Sequence, residues 1–144
     1  MYFRKFTEYD IDLLRSWRKD HLVQKYVHYA SLEDWFNYVN ENPNYYSWIA
    51  YERELPDVAV GIVNVEEYKP LVGAISVITN PVLRGKGYGA KIVKYVIQQP
   101  EIAHLKKIEA FIKPENVPSL KCFQKANFIN HGLNDGLFEY VFEK

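Results

Sequence analysis

The sequence holds a single cysteine, Cys122, so no disulfide can close within the chain and no metal site of the multi-cysteine kind can form. That scarcity fits a reducing cytoplasm, and no metal is expected. The chain also lacks net charge: 18 Lys and Arg are balanced by 18 Asp and Glu. Nothing therefore draws the whole protein to nucleic acid or to an anionic membrane, and any charge-driven binding must be local. No hydrophobic run approaches the length that spans a bilayer, and Met1-Tyr2-Phe3-Arg4-Lys5 lacks the apolar core of a secretion signal. A soluble, cytoplasmic protein is expected. Internal repeats and low-complexity tracts are missing, as is the phosphate-cradling pattern G-x-x-x-x-G-K-[ST], which removes support for a nucleotide triphosphatase. His21 and His28 stand seven apart with no acidic or cysteine ligand at a fitting offset, so they read as ordinary polar residues.

What is present is a chain of 144 residues with 48% hydrophobic residues, enough for one domain, 1–144, with a sizeable core. Glycine is sparse, yet three glycines crowd into Pro81-Val82-Leu83-Arg84-Gly85-Lys86-Gly87-Tyr88-Gly89-Ala90. This stretch joins the most apolar run in the sequence to a strongly patterned helix. Glycine admits backbone angles that side chains forbid, so successive N–H groups can turn toward one anion, and the following helix adds its free N–H groups and dipole. Arg84 and Lys86 flank Gly85 with full charges. The stretch reads as an anion cradle.

The remaining pattern alternates helices and strands. Residues 2–6 are a short strand, and Thr7 with Asp10 opens a helix as a capping box, carrying Ile11, Leu14 and Trp17 at helical spacing. Residues 21–30 look less regular. Ser31 and Asp34 repeat the helix-start signal before the stripe Leu32, Trp35, Phe36, Val39. Asn42-Pro43-Asn44 is a turn, 45–51 a strand, 52–57 a charged, proline-broken link, and 58–65 an apolar strand covered on both faces that Glu66-Glu67 ends. Tyr68-Lys69-Pro70 reads as a turn, and 71–78 as a second apolar strand feeding the glycine stretch. Ala90, Ile92, Val93, Val96 and Ile97 form the buried face of the next helix, which Pro100 stops. Lys107 to Ile112 is a strand, Asn116-Val117-Pro118-Ser119 starts a helix, and Asn127 is the left-handed residue that ends it. A hairpin around Asn134-Asp135-Gly136 closes the chain.

Two families own loops of this kind. Gly85, Gly87 and Ala90 fit the dinucleotide fingerprint G-x-G-x-x-A with Glu109 downstream, but only 54 residues follow Ala90, too few for the further strand-helix units such a domain needs. Read as R-x-x-G-x-G through Arg84, Gly87 and Gly89, the loop resembles the acyl-CoA pyrophosphate loop of the GNAT superfamily of N-acyltransferases. Downstream, Asn116-Val117-Pro118-Ser119-Leu120-Lys121-Cys122-Phe123-Gln124-Lys125-Ala126-Asn127-Phe128 resembles that family's segment N-x-x-S-x-x-x-Y/F-x-K-x-G-F, departing only at Asn127. The resemblance implies an α/β (α+β) fold with a mixed, mostly antiparallel sheet of six to seven strands, helices on both faces, and two splayed central strands, residues 71–79 and 107–112. Acetyl-CoA, as co-substrate, would lie in the gap. Its pyrophosphate would be held at Arg84, Gly85, Lys86, Gly87, Tyr88, Gly89 and Ala90. Its arm would pair with the backbone of Val77, Ile78 and Thr79, with Asn116, Ser119, Phe123 and Lys125 alongside.

The implied activity is transfer of an acetyl group to a primary amine of a small molecule or peptide N-terminus, by direct attack in a ternary complex. Such transfer needs a neutral amine, a stabilised oxyanion and a proton for the departing thiolate. Here the sequence departs from the family: residues 71–80 hold no carboxylate, and Phe123 stands where many members have a tyrosine. Glu66 and Glu67 are the candidates for deprotonating an ammonium through water, and Tyr140 or Cys122 for protonating the thiolate. For the acceptor, Tyr26, Tyr29 and Trp35, with the acids Glu52, Glu66 and Glu67, suit a cationic amine. Arg4 to Ile11 and the region of Trp17 look like the branch that holds ribosomal-protein N-terminal and aminoglycoside acetyltransferases. A monomer or homodimer without nucleic-acid or membrane partners is expected. The alternatives are a CoA-binding regulatory domain without turnover, and a nicotinamide-binding protein using Glu109 on a ribose.

Overall fold

The computed structural model describes residues 1–26 and 31–144. Of the sequence readings, those on His28 and Tyr29 lie outside the described residues. Seven strands, β1 (Tyr2–Lys5), β2 (Tyr45–Glu52), β3 (Leu55–Lys69), β4 (Val72–Thr79), β5 (Lys107–Ile112), β6 (Ile129–Asn134) and β7 (Leu137–Glu143), form one sheet in the order β1-β2-β3-β4-β5-β7-β6. Every neighbouring pair is antiparallel except β4 and β5. The helices are α1 (Ile11–Trp17), α2 (His21–Tyr26), α3 (Leu32–Glu41), α4 (Tyr88–Val96) and α5 (Val117–Lys125). Among the described residues no helix is long and apolar enough to cross a membrane.

The local signals act as read. The Thr7–Asp10 box opens a single 3-10 turn that runs into α1, and the Ser31 hydroxyl accepts from the Asp34 N–H at 3.2 Å to start α3. Asn116 Oδ1 accepts from the Ser119 N–H to start α5, and Asn127 closes it at φ 68°. Three boundaries differ. Residues 21–26 form a helix, because Asp20 Oδ1 accepts from the N–H groups of Leu22 and Val23. β3 begins at Leu55 and runs through Glu66 and Glu67 to Lys69, since pairing with β2 and β4 satisfies its backbone whatever charge its side chains carry. The following turn therefore centres on Leu71, at φ 67°, whose N–H is held by Glu67 Oε2 at 2.9 Å.

Two apolar layers sandwich the sheet. On one face α4 and α5 bury Ile92, Val93, Val96, Phe123 and Ala126 against Val63, Val65, Ile75, Ile108, Ala110 and Ile112. On the other, Leu14, Trp17, Val23 and Leu32 of the first three helices cover Ile49, Ile62 and Ile78. Each fully buried aliphatic side chain of this kind contributes roughly 1.5–3 kcal/mol. Gly61 lets α4 approach: a Cβ there would stand 2.4 Å from Ile92 Cδ1.

Candidate functional site

The central strands part as expected. β4 and β5 pair only at Val72↔Lys107, Gly73↔Ile108 and Ala74↔Glu109. Beyond that vertex residues 75–79 pair only with β3, and residues 110–112 only with β7. Asn80 N–H donates to Val60 O at 2.9 Å, so alternation along the antiparallel pair turns the backbone groups of Val77 and Thr79 to the open side and those of Ile78 to β3. The middle of the sheet thus carries a wedge with an unpaired backbone edge.

The glycine stretch closes the mouth of that wedge. Asn80 caps a 3-10 turn at Pro81–Leu83, and Gly85 (φ 76°) and Gly87 (φ 81°) are both left-handed, which puts Gly87 at the N-cap of α4 without any capping side chain. No backbone N–H of residues 84–90 meets an acceptor among the described residues. A Cβ on Gly85 or Gly87 would find nothing within 4 Å, so the side-chain position of each stands in open space. Gly89 differs: a Cβ there would stand 2.9 Å from Cys122 Sγ and 3.3 Å from Thr79 Oγ1, so this glycine joins the start of α4 to α5 and to the end of β4. Free amides, a helix N-terminus and Lys86, which has no ion-pair partner among the described residues, lie together here, an arrangement chemically suited to an anion.

Arg84 takes another part. Its guanidinium donates to both oxygens of Asp20, at 3.0 and 2.5 Å, and so ties the loop to the start of α2. The Arg84 bond holds the Asp20 carboxyl down at about 2, below its ordinary value of 3.8. The guanidinium is thus bound to protein, and Lys86 is the cation left beside the amides. Sequence gave no signal for Asp20, 64 residues upstream.

Across the wedge stands α5. Its Asn116 side chain is engaged as the cap, Phe123 is buried edge-on against Phe128, Ser119 is half-buried, and Lys125 is exposed in the last turn. Cys122 is half-buried, and burial pushes its thiol up to about 12, so it stands as a neutral packing group. Tyr140, buried on β7, pairs with Ala110, the first β5 residue past the vertex, and its hydroxyl has no hydrogen-bond partner among the described residues.

The other candidates scatter. Glu66 accepts from the Tyr38 hydroxyl and, at 3.4 Å, from Asn42 Nδ2. Glu67 is held by the Leu71 N–H and by His104 Nε2 at 2.7 Å. Both sit at the far end of β3, opposite Ala74 and Gly73. Glu52 is buried and paired with Lys91 Nζ at 2.7 Å. Tyr26, at the end of α2, lies under Lys25 Nζ, and the Trp35 ring packs on Phe6 and Tyr45. The ribose role for Glu109 does not fit: its carboxylate is 2% exposed and bonded to Tyr68, and one parallel pair is too few for a dinucleotide domain.

Comparison with known proteins agrees with this geometry. Residues 1–129 match the family described as acetyltransferase (GNAT) domain. An uncharacterized N-acetyltransferase, YfmK of Bacillus subtilis, is 29% identical over 129 residues, which covers 88% of this chain and 83% of that protein. Among solved structures, aminoglycoside acetyltransferase AAC(6')-Ib in complex with coenzyme A and kanamycin superposes with a TM-score of 0.80 at 22% identity, covering 99% of this chain and 94% of that one. Spermidine N-acetyltransferase from Vibrio cholerae in complex with CoA and spermine gives a TM-score of 0.81 at 15% identity, covering 99% and 94%. At these identities the two structures show a common fold.

Proposed function

The chain belongs to the acetyltransferase (GNAT) domain family, and from that premise we propose that it moves an acetyl group from acetyl-CoA to the primary amine of a small molecule or a peptide N-terminus, by direct attack in a ternary complex. The observation that carries this reading is the wedge between β4 and β5, with the row of unpaired amides of residues 84–90 at its mouth. A diphosphate seated on those amides beside Lys86 sends its pantetheine arm along β4, where the free backbone groups of Val77 and Thr79 receive it as an added strand. Ile78 keeps the strand in place through β3. Asn116, Ser119, Phe123 and Lys125 line the α5 side.

A neutral amine attacks the thioester carbon, and the carbonyl oxygen takes the negative charge beside β4 backbone N–H groups. The C–S bond then breaks and the sulfur takes up a proton. Tyr140 is the proposed donor, since its hydroxyl has no other partner and it stands next to Ala110 at the opening of the wedge. A small cationic amine is favoured as acceptor because the structural neighbours carry kanamycin and spermine. Tyr26 on α2, tethered to the cradle through Asp20 and Arg84, would border its path.

The deciding experiment follows thiol release from acetyl-CoA across aminoglycosides, polyamines and peptide N-termini, with CoA affinity measured by calorimetry. Turnover on at least one amine is expected. Tight CoA binding with no turnover would favour the regulatory alternative, to which the missing β4 carboxylate and Phe123 point. Failure to bind CoA would sink both.

A further inference from the structure

Residues opposite one another on neighbouring strands share a face, so Glu66, Ala74 and Glu109 form one row across β3, β4 and β5, on the face away from α4 and α5. The next row along is Ser47, Asn64 and Ser76, linked by hydrogen bonds of 2.5 and 3.5 Å. Over β2 and β3 these rows are covered, and Ser47 and Asn64 are buried. Over β4 and β5 the cover stops. Ser76 is exposed although it lies on the middle strand of the sheet, and Tyr68 and Phe111 are each 44% exposed. Solvent, or a substrate, reaches the wedge at Ser76, just past its vertex, from this side, opposite the side taken by α4 and α5.

Glu109 sits at that vertex as the last β5 residue paired with β4. It is 2% exposed, and the Tyr68 hydroxyl, reaching over from β3, donates to its Oε1 at 3.1 Å. Half-buried Glu139 on β7, opposite Phe111, shares this face with Glu109 as its diagonal neighbour across the β5–β7 pair, close enough for each carboxyl to act on the other. Two carboxyl groups side by side repel when both are charged, which holds the Glu139 carboxyl above its ordinary range.

We propose that Glu139 takes the proton from the acceptor's ammonium at the open face of the wedge, and that Glu109, held behind it by Tyr68, is the positioning residue that keeps it basic. This rests on the acyl-transfer reading above. The ammonium gives one proton to the Glu139 carboxylate. The neutral nitrogen attacks the thioester carbon, the C–S bond breaks as the Tyr140 hydroxyl protonates sulfur, and the second nitrogen proton passes through water to restore that hydroxyl. The carboxyl then returns its proton to water. The groups that set the balance at Glu139 are Glu109, which raises its pKa by the hydrogen bond and by repulsion, burial, which raises it further, and Lys107 and His131, which lower it. A carboxylate held above its ordinary range is a better base for an amine than a free one.

The test is a carboxyl NMR titration of the full chain alongside the pH dependence of kcat/KM for the amine turned over fastest in the panel above. Glu139 should titrate above the ordinary carboxylate range, the acidic limb of kcat/KM should share that midpoint, and Glu109→Gln should move both to lower pH. Glu139→Gln should lose the limb and at least about 100-fold in kcat, with CoA affinity unchanged. The proposal is overturned if Glu139→Gln keeps the limb, or if Glu109→Gln leaves both midpoints where they were. If the unmutated chain releases no thiol with any acceptor, the transfer reading falls and this role falls with it, even where Glu139 titrates above the ordinary range.

Discussion

Arg84 and Asp20 are joined by two hydrogen bonds, and the same Asp20 carboxylate accepts from two amides of α2, so one side chain ties the glycine loop to that helix. Because the folded carboxyl titrates at about 2 against an ordinary 3.8, its stabilisation is complete above the ordinary value and is lost as pH falls between the two. Asp20→Asn keeps a capping oxygen and removes only the charge. The difference in urea midpoint between the two proteins should be visible at pH 7, narrow below pH 4, and shrink in 1 M salt. A difference that stays constant from pH 7 to pH 2.5 would show that the ion pair is not its source.

The glycines divide into two kinds. Ala at Gly85 or Gly87 meets no atom, so its cost is the left-handed backbone alone, about 1–2 kcal/mol each. Ala at Gly89 meets Cys122 Sγ at 2.9 Å, so Cys122→Ala should relieve part of the damage. A double-mutant cycle by denaturant unfolding checks this: a favourable coupling at Gly89 and none at Gly85 is expected, and additivity at both would refute the contact.

Burial raises the Cys122 thiol from 9.0 to about 12, which lowers its thiolate fraction roughly 1,000-fold. Alkylation by iodoacetamide at pH 8 should be slower than that of a free thiol by a similar factor. Slowing of less than tenfold would mean that the thiolate is exposed and that Cys122 deserves a chemical role after all.

Tyr140→Phe removes only a hydroxyl that no described residue hydrogen-bonds, so stability should change by under about 1 kcal/mol. As thiolate acid it should cost about 100-fold in kcat and leave CoA affinity alone. An unchanged kcat would move the donor's role to water.

The sequence by itself determined the cradle and the pieces around it. Glycines at 85, 87 and 89, the cap at Asn116 and the left-handed Asn127 act through local backbone geometry, which does not depend on what folds against them. The family resemblance carried the wedge between β4 and β5. Tertiary structure alone decided which charges are free. Glu109 enters the sequence reading only through the dinucleotide fingerprint, yet in the fold it is buried and bonded to Tyr68, 41 residues away, with Glu139 beside it. Arg84 stands in the sequence as a full charge flanking Gly85, and its ion-pair partner Asp20 comes from 64 residues upstream. Coulomb and hydrogen-bond energies fall away within a few ångströms, so a charge's role follows its neighbours in space, and a linear pattern of residue types does not contain them.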